Sequence, residues 1–356
     1  MKRSLTLKNI KKIDSSGMLA VLLDFPLQCN QALCIAKGIR LAAEKKDIKR
    51  VVFAGVGGSA IGAELVKSYL YLESRIPIAV VREYELPEYI DHETLVFISS
   101  YSGNTEETLS AYNQAKDKGA FLIAISSGGK LKDFTENDKV HFVRIPEGLP
   151  PRYALGHLSI IPLYILYKLG LISDVEPAIN QAIKVLQDLK SNSLNPYIGQ
   201  KDNISKYIAA KLYNKFPVVY SSSMHFDVVA TRFRNQINEN AKALASSYVF
   251  PEMNHNEVMG WQNPKRIFKD FVVLMFRDKL GAHKHVNKGM DIVRDLLKKE
   301  GVDILEAWSR GESLLSRIFS LIYIGDFASF YLAILYGVDP APVDRIAYVK
   351  NKLREL

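Results

Sequence analysis

Two hydrophobic rhythms alternate along the chain. Up to residue 46 the apolar positions recur at helical spacing, with Leu19, Leu22 and Leu23 followed by Ala32, Ile35 and Ile39. The period then changes. Val51-Val52-Phe53-Ala54 is a short, unbroken apolar run ending in glycine, the pattern of a strand buried on both faces. Runs of the same kind follow at 78–81, 95–98 and 121–125, with helix-length polar or amphipathic segments between most of them. Such alternation predicts a parallel, doubly wound sheet covered on both sides. The rhythm returns at 217–220, followed by three serines and a helical stretch from Phe226 to about Lys242, then at 271–276 and more weakly at 302–306. Residues 154–215 read as all-helical, and 312–337 as one long helix packing across both α/β parts. The expected architecture is α/β: two doubly wound, parallel-sheet subdomains of flavodoxin-like type with flanking helices. The first covers residues 1–160 with leading helices, 161–215 form a helical connection, and 216–356 form the second with its C-terminal helices.

Composition narrows the class. The chain has 356 residues, 48% hydrophobic and 24% charged, so it has the makeup of a globular protein and the length of about two domains. Its 47 basic and 38 acidic residues leave +9, a balance suited to an anionic substrate or to nucleic acid. The positive residues are spread, however. The densest clusters, beginning at Lys45 and Arg294, contain acids and fall where helices should end, complementing the helix dipole. No nucleic-acid partner is expected. Cys29 and Cys34 do not share a helix face and cannot close a zinc site, which fits a reduced, cytoplasmic protein. Met1-Lys2-Arg3-Ser4 opens no long apolar run, so no signal peptide is expected. The most apolar segment, 318–338, is interrupted by Asp326 and reads as a buried helix, not a membrane span.

Two segments carry anion-binding chemistry. The first strand runs into Gly55-Val56-Gly57-Gly58-Ser59 and then a helix. Glycines let a ligand approach the backbone, and the helix start offers free N–H groups and a positive dipole end. The spacing matches neither the P-loop nor the dinucleotide fingerprint. After the strand at 95–99 comes Ser100-Tyr101-Ser102-Gly103-Asn104-Thr105-Glu106-Glu107-Thr108. Capping the next helix needs one hydroxyl. Ser100, Ser102 and Thr105 are therefore candidates to hold a phosphate, with Gly57, Gly58 and Ser59 across the neighbouring turn.

These motifs, with Pro150-Pro151-Arg152-Tyr153-Ala154-Leu155-Gly156, Asn254-His255-Asn256-Glu257 and the exit turn Gly337-Val338-Asp339-Pro340, resemble the bifunctional phosphoglucose/phosphomannose isomerase family of sugar isomerase (SIS) proteins. The resemblance covers nearly the whole chain in order. The chain departs from the commoner pattern at Val56, Ala60 and Ala63, which leaves the N–H groups of the first turn in place. What the resemblance implies is interconversion of glucose 6-phosphate and mannose 6-phosphate with fructose 6-phosphate through a cis-enediolate, with no metal and no cofactor. Such chemistry needs a base that moves one proton between C1 and C2, a group that opens the ring, and a cation for the enediolate. Glu257, in a polar turn before Val258-Met259-Gly260-Trp261, is the expected base. By resemblance Arg152 steadies the enediolate oxygen, and Lys350 matches an active-site lysine near the C-terminus. The ring-opening histidine would be His283 or His285, with His283 aligning better, delivered from the second subunit of a homodimer. His255 could instead orient the base. Part of the apolar helix at 312–337 is expected to face that second subunit. The competing reading is a non-catalytic phosphosugar-binding regulator; a third, an amidotransferring isomerase, would need a glutamine-handling domain.

Overall fold

The computed structural model describes residues 4–41, 47–353 and 355 of the chain. Lys45 and Lys46, with the end expected for the first helical stretch, lie outside them. The stretch before them is broken into three helices, Leu7–Ile13, Met18–Leu23 and Phe25–Gly38. The first break is dictated locally: the Asp14 carboxylate accepts the N–H groups of Met18 and Leu19 at 2.7 and 2.8 Å, starting a new helix. The chain divides into two compact units. One comprises Asp24–Lys184 and Gly311–Ser316; the other comprises Met1–Leu23, Val185–Arg310 and Arg317–Leu356.

The Asp24–Lys184 unit is built on five parallel strands: β1 (Arg50–Ala54), β2 (Ile78–Val81), β3 (Thr94–Ser99), β4 (Phe121–Ser126) and β5 (His141–Arg144), in the order β2-β1-β3-β4-β5. Chain direction around the sheet therefore reverses between β1 and β3, which puts the turns after those two strands at a topological switch point. One face of the sheet packs Val52, Ala54, Val96, Ile98 and Ala124 against Ala111, Tyr112 and Leu131. On these central strands Phe53 stacks on its register partner Phe97 with ring centroids 4.8 Å apart. Strand β5 escaped the apolar-run pattern because it is an edge: His141 and Arg144 break the run where one side has no neighbour.

The second unit carries β6 (Phe216–Ser222), β7 (Ser246–Phe250), β8 (Phe271–Arg277) and β9 (Asp303–Trp308), all parallel, in the order β7-β6-β8-β9. Val218 and Tyr220 of β6 and Val273 and Met275 of β8 pack with Met290, Val293 and Leu297, the buried stripe of the amphipathic helix Lys284–Lys299. That helix ends in Lys298 and Lys299, where the sequence places a basic helix end. The helix expected to begin near Phe226 runs as Asp227–Gln236 and then widens into a π turn, Ile237–Ala241.

The helix Leu314–Tyr336 is apolar and long enough to cross a membrane by length and composition, yet its most apolar 18-residue window is entirely buried inside the protein. Ile318, Phe319, Leu321, Ile322, Ile324, Phe327, Phe330, Leu332 and Leu335 are all buried by this one chain. The expectation that part of this surface awaits a second subunit is corrected by that burial. Asp326, the charge that interrupts the apolar run, is held by Arg232 through bonds of 3.0 and 2.7 Å and accepts a third from Gln236 at 3.1 Å. Both ionised side chains are nearly inaccessible. Removing one member strands the other, so Asp326→Ala is expected to cost about 3–5 kcal/mol in urea unfolding. A loss below about 1 kcal/mol would mean that water reaches Arg232 once its partner is gone.

Candidate active site

At the switch point of the first unit, glycine geometry sets two loops against each other. Gly57 adopts φ +58°, a conformation side chains disfavour, and a Cβ on Gly58 would stand 2.6 Å from the carbonyl of Pro151. The glycine turn thus presses onto the Pro-Pro-Arg turn. In the loop after β3, Gly103 has φ +69°, and a Cβ there would lie 1.7 Å from the Gly128 carbonyl. Ser59 Oγ accepts the Tyr101 N–H at 3.3 Å, tying the glycine turn to the hydroxyl loop.

Within the hydroxyl loop the three hydroxyls are not equivalent. Ser100 is buried; its Oγ donates to Thr105 Oγ1 at 3.0 Å and accepts the Gly103 N–H at 3.1 Å. It braces the loop from beneath. Thr105 occupies the N-cap of the helix Glu106–Asp117 but makes no side-chain cap hydrogen bond. Its hydroxyl, having accepted from Ser100, retains a proton to donate. Ser102 is exposed, and its Oγ accepts the Asn104 N–H at 3.3 Å, which leaves its proton available too. Two hydroxyl donors therefore stand at a helix N-terminus without serving as caps, an arrangement that fits an anion.

Arg152 sits in the 3-10 turn Pro151–Tyr153, largely buried, with its guanidinium carbon 5.3 Å from the Tyr153 ring centroid. Gln28 holds this turn: its amide donates to the Tyr153 carbonyl and accepts the Gly156 N–H, both at 2.7 Å. Tyr101 holds the segment before it, donating to the Pro146 carbonyl at 2.9 Å and accepting the Leu149 N–H at 2.8 Å. Gln28 does not stand out in the sequence as part of a site, and Tyr101 stands out only as a member of the hydroxyl loop. Gln28 lies on the buried face of its helix among Phe25, Cys29, Ala32 and Leu33, so its amide needs partners.

In the second unit Glu257 opens the short helix Glu257–Gly260, after an Asn256 whose Oδ1 caps it through the Glu257 N–H at 2.6 Å. The carboxylate is half-buried. Its Oε1 accepts the Tyr220 O–H at 2.6 Å, and Tyr220 in turn accepts the indole N–H of Trp261 at 2.9 Å. Burial first, and the adjacent carboxylate second, push the Tyr220 phenol far above its ordinary value, so it stays a proton donor to Glu257. His255 is exposed and is not among the hydrogen-bond partners of Glu257 among the described residues; the side chain that bonds the carboxylate is Tyr220. The sequence shows Tyr220 only as the end of an apolar strand run.

His283 and His285 are both exposed, at the start of the helix Lys284–Lys299. His283 is its N-cap: Nδ1 accepts the His285 N–H at 3.2 Å, which assigns the ring proton of a neutral imidazole to the outward Nε2. The loop leading to it is tied to Asp278, whose carboxylate accepts the N–H groups of Leu280 and Gly281 and pairs with Arg317 at 3.0 Å. Lys350 lies in the helix Asp344–Leu353, none of whose residues is buried, and has no ion pair among the described residues. No cluster of three or more metal-binding side chains occurs among the described residues.

The strand order and the hydroxyl loop define a sugar isomerase (SIS) type of protein. Residues 46–145 match the SIS domain, and residues 201–353 match the bacterial phospho-glucose isomerase C-terminal SIS domain. A bifunctional phosphoglucose/phosphomannose isomerase from Caldicellulosiruptor bescii is 46% identical over 94% of this chain and 98% of its own length. One from Aquifex aeolicus is 37% identical over 88% of this chain and 93% of its own. Among solved structures, a hypothetical protein from Thermus thermophilus shares the fold at a TM-score of 0.77, with 15% identity over 98% of this chain and 93% of that one. The chain belongs to the bifunctional phosphoglucose/phosphomannose isomerase family.

Proposed function

We propose that the protein interconverts glucose 6-phosphate and mannose 6-phosphate with fructose 6-phosphate through a cis-enediolate. Glu257 takes the proton from C2 of the open-chain aldose, the C1 carbonyl oxygen gains the negative charge, and the same carboxyl returns the proton to C1 while the O2 hydroxyl proton passes to O1, leaving the carbonyl at C2. The two aldoses differ only in configuration at C2, so one base serves both when rotation about C2–C3 turns either face of the enediolate toward it. Arg152 steadies the enediolate oxygen. Ser102 and Thr105 donate to the phosphate, braced by Ser100, with the N–H groups of Gly57, Gly58 and Ser59 adding to the cradle. His283 opens the sugar ring and Lys350 supplies a further cation. His283 acts from the second subunit of a homodimer; in support, its imidazole is exposed and caps a helix, and no hydrogen bond joins it to Glu257 among the described residues. A cytoplasmic location rests on the cysteines, which are both free.

The observation that carries this reading is the hydroxyl loop after β3, whose Thr105 leaves its helix uncapped, in a chain of this family. The test is fructose 6-phosphate formation from each hexose 6-phosphate with EDTA present. Turnover of both supports the proposal; tight binding of either sugar without turnover would make the protein a phosphosugar-binding regulator. The cradle has its own test. Ser102→Ala together with Thr105→Val is expected to raise KM for both substrates at least tenfold, since each hydrogen bond to an ionised phosphate is worth roughly 1.5–3 kcal/mol. An unchanged KM would reduce the loop to a structural turn.

A further inference from the structure

We infer that Tyr220 and Trp261 form a positioning relay that holds one oxygen of the Glu257 carboxylate and leaves the other to move the proton. The inference rests on Glu257 being the base. Tyr220 emerges from the buried end of β6, fully covered and edge-on to Phe250 at a centroid distance of 5.8 Å. A phenol so placed has one degree of freedom, rotation of its O–H. Trp261 removes it. The indole N–H can only donate, so by donating to the phenol oxygen at 2.9 Å it directs the phenol proton away from itself and toward Glu257 Oε1 at 2.6 Å. The chain of donors has a fixed direction, from Trp261 through Tyr220 to Glu257, and each link polarises the next.

Glu257 opens a helix of only four residues and is not itself packed into a core. On backbone grounds alone its carboxylate could rotate about χ3. Its N–H is committed to Asn256, and Oε1 to Tyr220, while Oε2 receives no hydrogen bond from the described residues. A base must present one lone pair to a carbon-bound proton at C2 and then at C1 without losing its orientation. Tying the other oxygen to a buried phenol achieves this, because the phenol's own position is set by a strand and not by the loop.

Tyr220→Phe keeps the ring and its packing and deletes only the donor. The expected result is a fall in kcat of about tenfold or more for both substrates, with KM within about twofold and the melting temperature read alongside. Trp261→Phe, which frees the phenol to rotate, should lower kcat by a smaller factor and also spare KM. In a Glu257→Gln background, Tyr220→Phe should remove nothing further from the residual rate, since residues acting as one unit are not additive. An unchanged kcat in Tyr220→Phe, with Glu257→Gln inactive, overturns the relay and leaves Glu257 as the base. Equal losses in kcat and 1/KM that track a lowered melting temperature assign Tyr220 to packing and overturn it as well. Full activity in Glu257→Gln removes both the base and its relay.

Discussion

Glu257→Gln is expected to reduce turnover of glucose 6-phosphate and mannose 6-phosphate together, by roughly a thousandfold or more, while sugar-phosphate affinity stays within about twofold. The substitution keeps the shape of the side chain and an oxygen that can still accept from Tyr220 at the Oε1 position. What it removes is the basic lone pair of a carboxylate. The hydroxyls of Ser102 and Thr105, proposed to hold the phosphate, are untouched by the change, so the split between rate and affinity is the informative reading. Activity within tenfold of the parent protein would place the base elsewhere. Loss of one activity alone would separate the two aldoses and rule out a shared enediolate.

The second large effect concerns assembly. His283→Ala is expected to be inactive, and mixing it with Glu257→Gln under conditions that allow subunit exchange should restore activity. In a symmetric dimer that donates His283 across its interface, a mixed pair has one site with both residues intact and one with neither. Equal amounts give half the dimers mixed, each with one of two sites, so about a quarter of the parent's specific activity is the ceiling. The burial of the helix Leu314–Tyr336 within one chain means that this helix does not supply the interface. Exposed candidates remain, including the helix Asp344–Leu353, which buries none of its residues and carries Lys350. No recovery on mixing, or a monomer in sedimentation at working concentration, would confine His283 to its own chain. Full activity of His283→Ala alone would instead reduce it to a helix cap, through Nδ1 and the His285 N–H.

Much of this was legible in the residues because it depends on local pattern. Buried parallel strands must be apolar on both faces, so the runs at 51–54, 95–98, 121–125 and 271–276 mark themselves, and each lies in a strand. Glycines at 57, 58 and 103 mark places where a side chain would collide or strain the backbone, and the structure has both kinds of conflict there. Serine and threonine hydroxyls in excess of what a helix cap needs are visible in the sequence, together with the strand that precedes them. Strand β5 was not visible, since an edge strand with His141 and Arg144 lacks the apolar signature that pairing on both sides imposes.

The tertiary structure alone decided which polar groups meet. Ser100, Ser102 and Thr105 look alike in sequence, but folding buries the first as a brace and leaves protons on the other two. His255 is two residues from Glu257 and makes no hydrogen bond to its carboxylate among the described residues, whereas Tyr220, thirty-seven positions away, does. Gln28 reaches the Arg152 turn across more than a hundred residues. Asp326 looks like a flaw in an apolar helix until Arg232 is brought against it. Hydrophobic periodicity is a property of neighbours along the chain, so the sequence by itself determined most of the elements, the parallel sheets and the places where a backbone could admit an anion. Hydrogen-bond partnership is a property of neighbours in space, set by strand order and helix packing, so only the folded chain could assign each buried donor its acceptor.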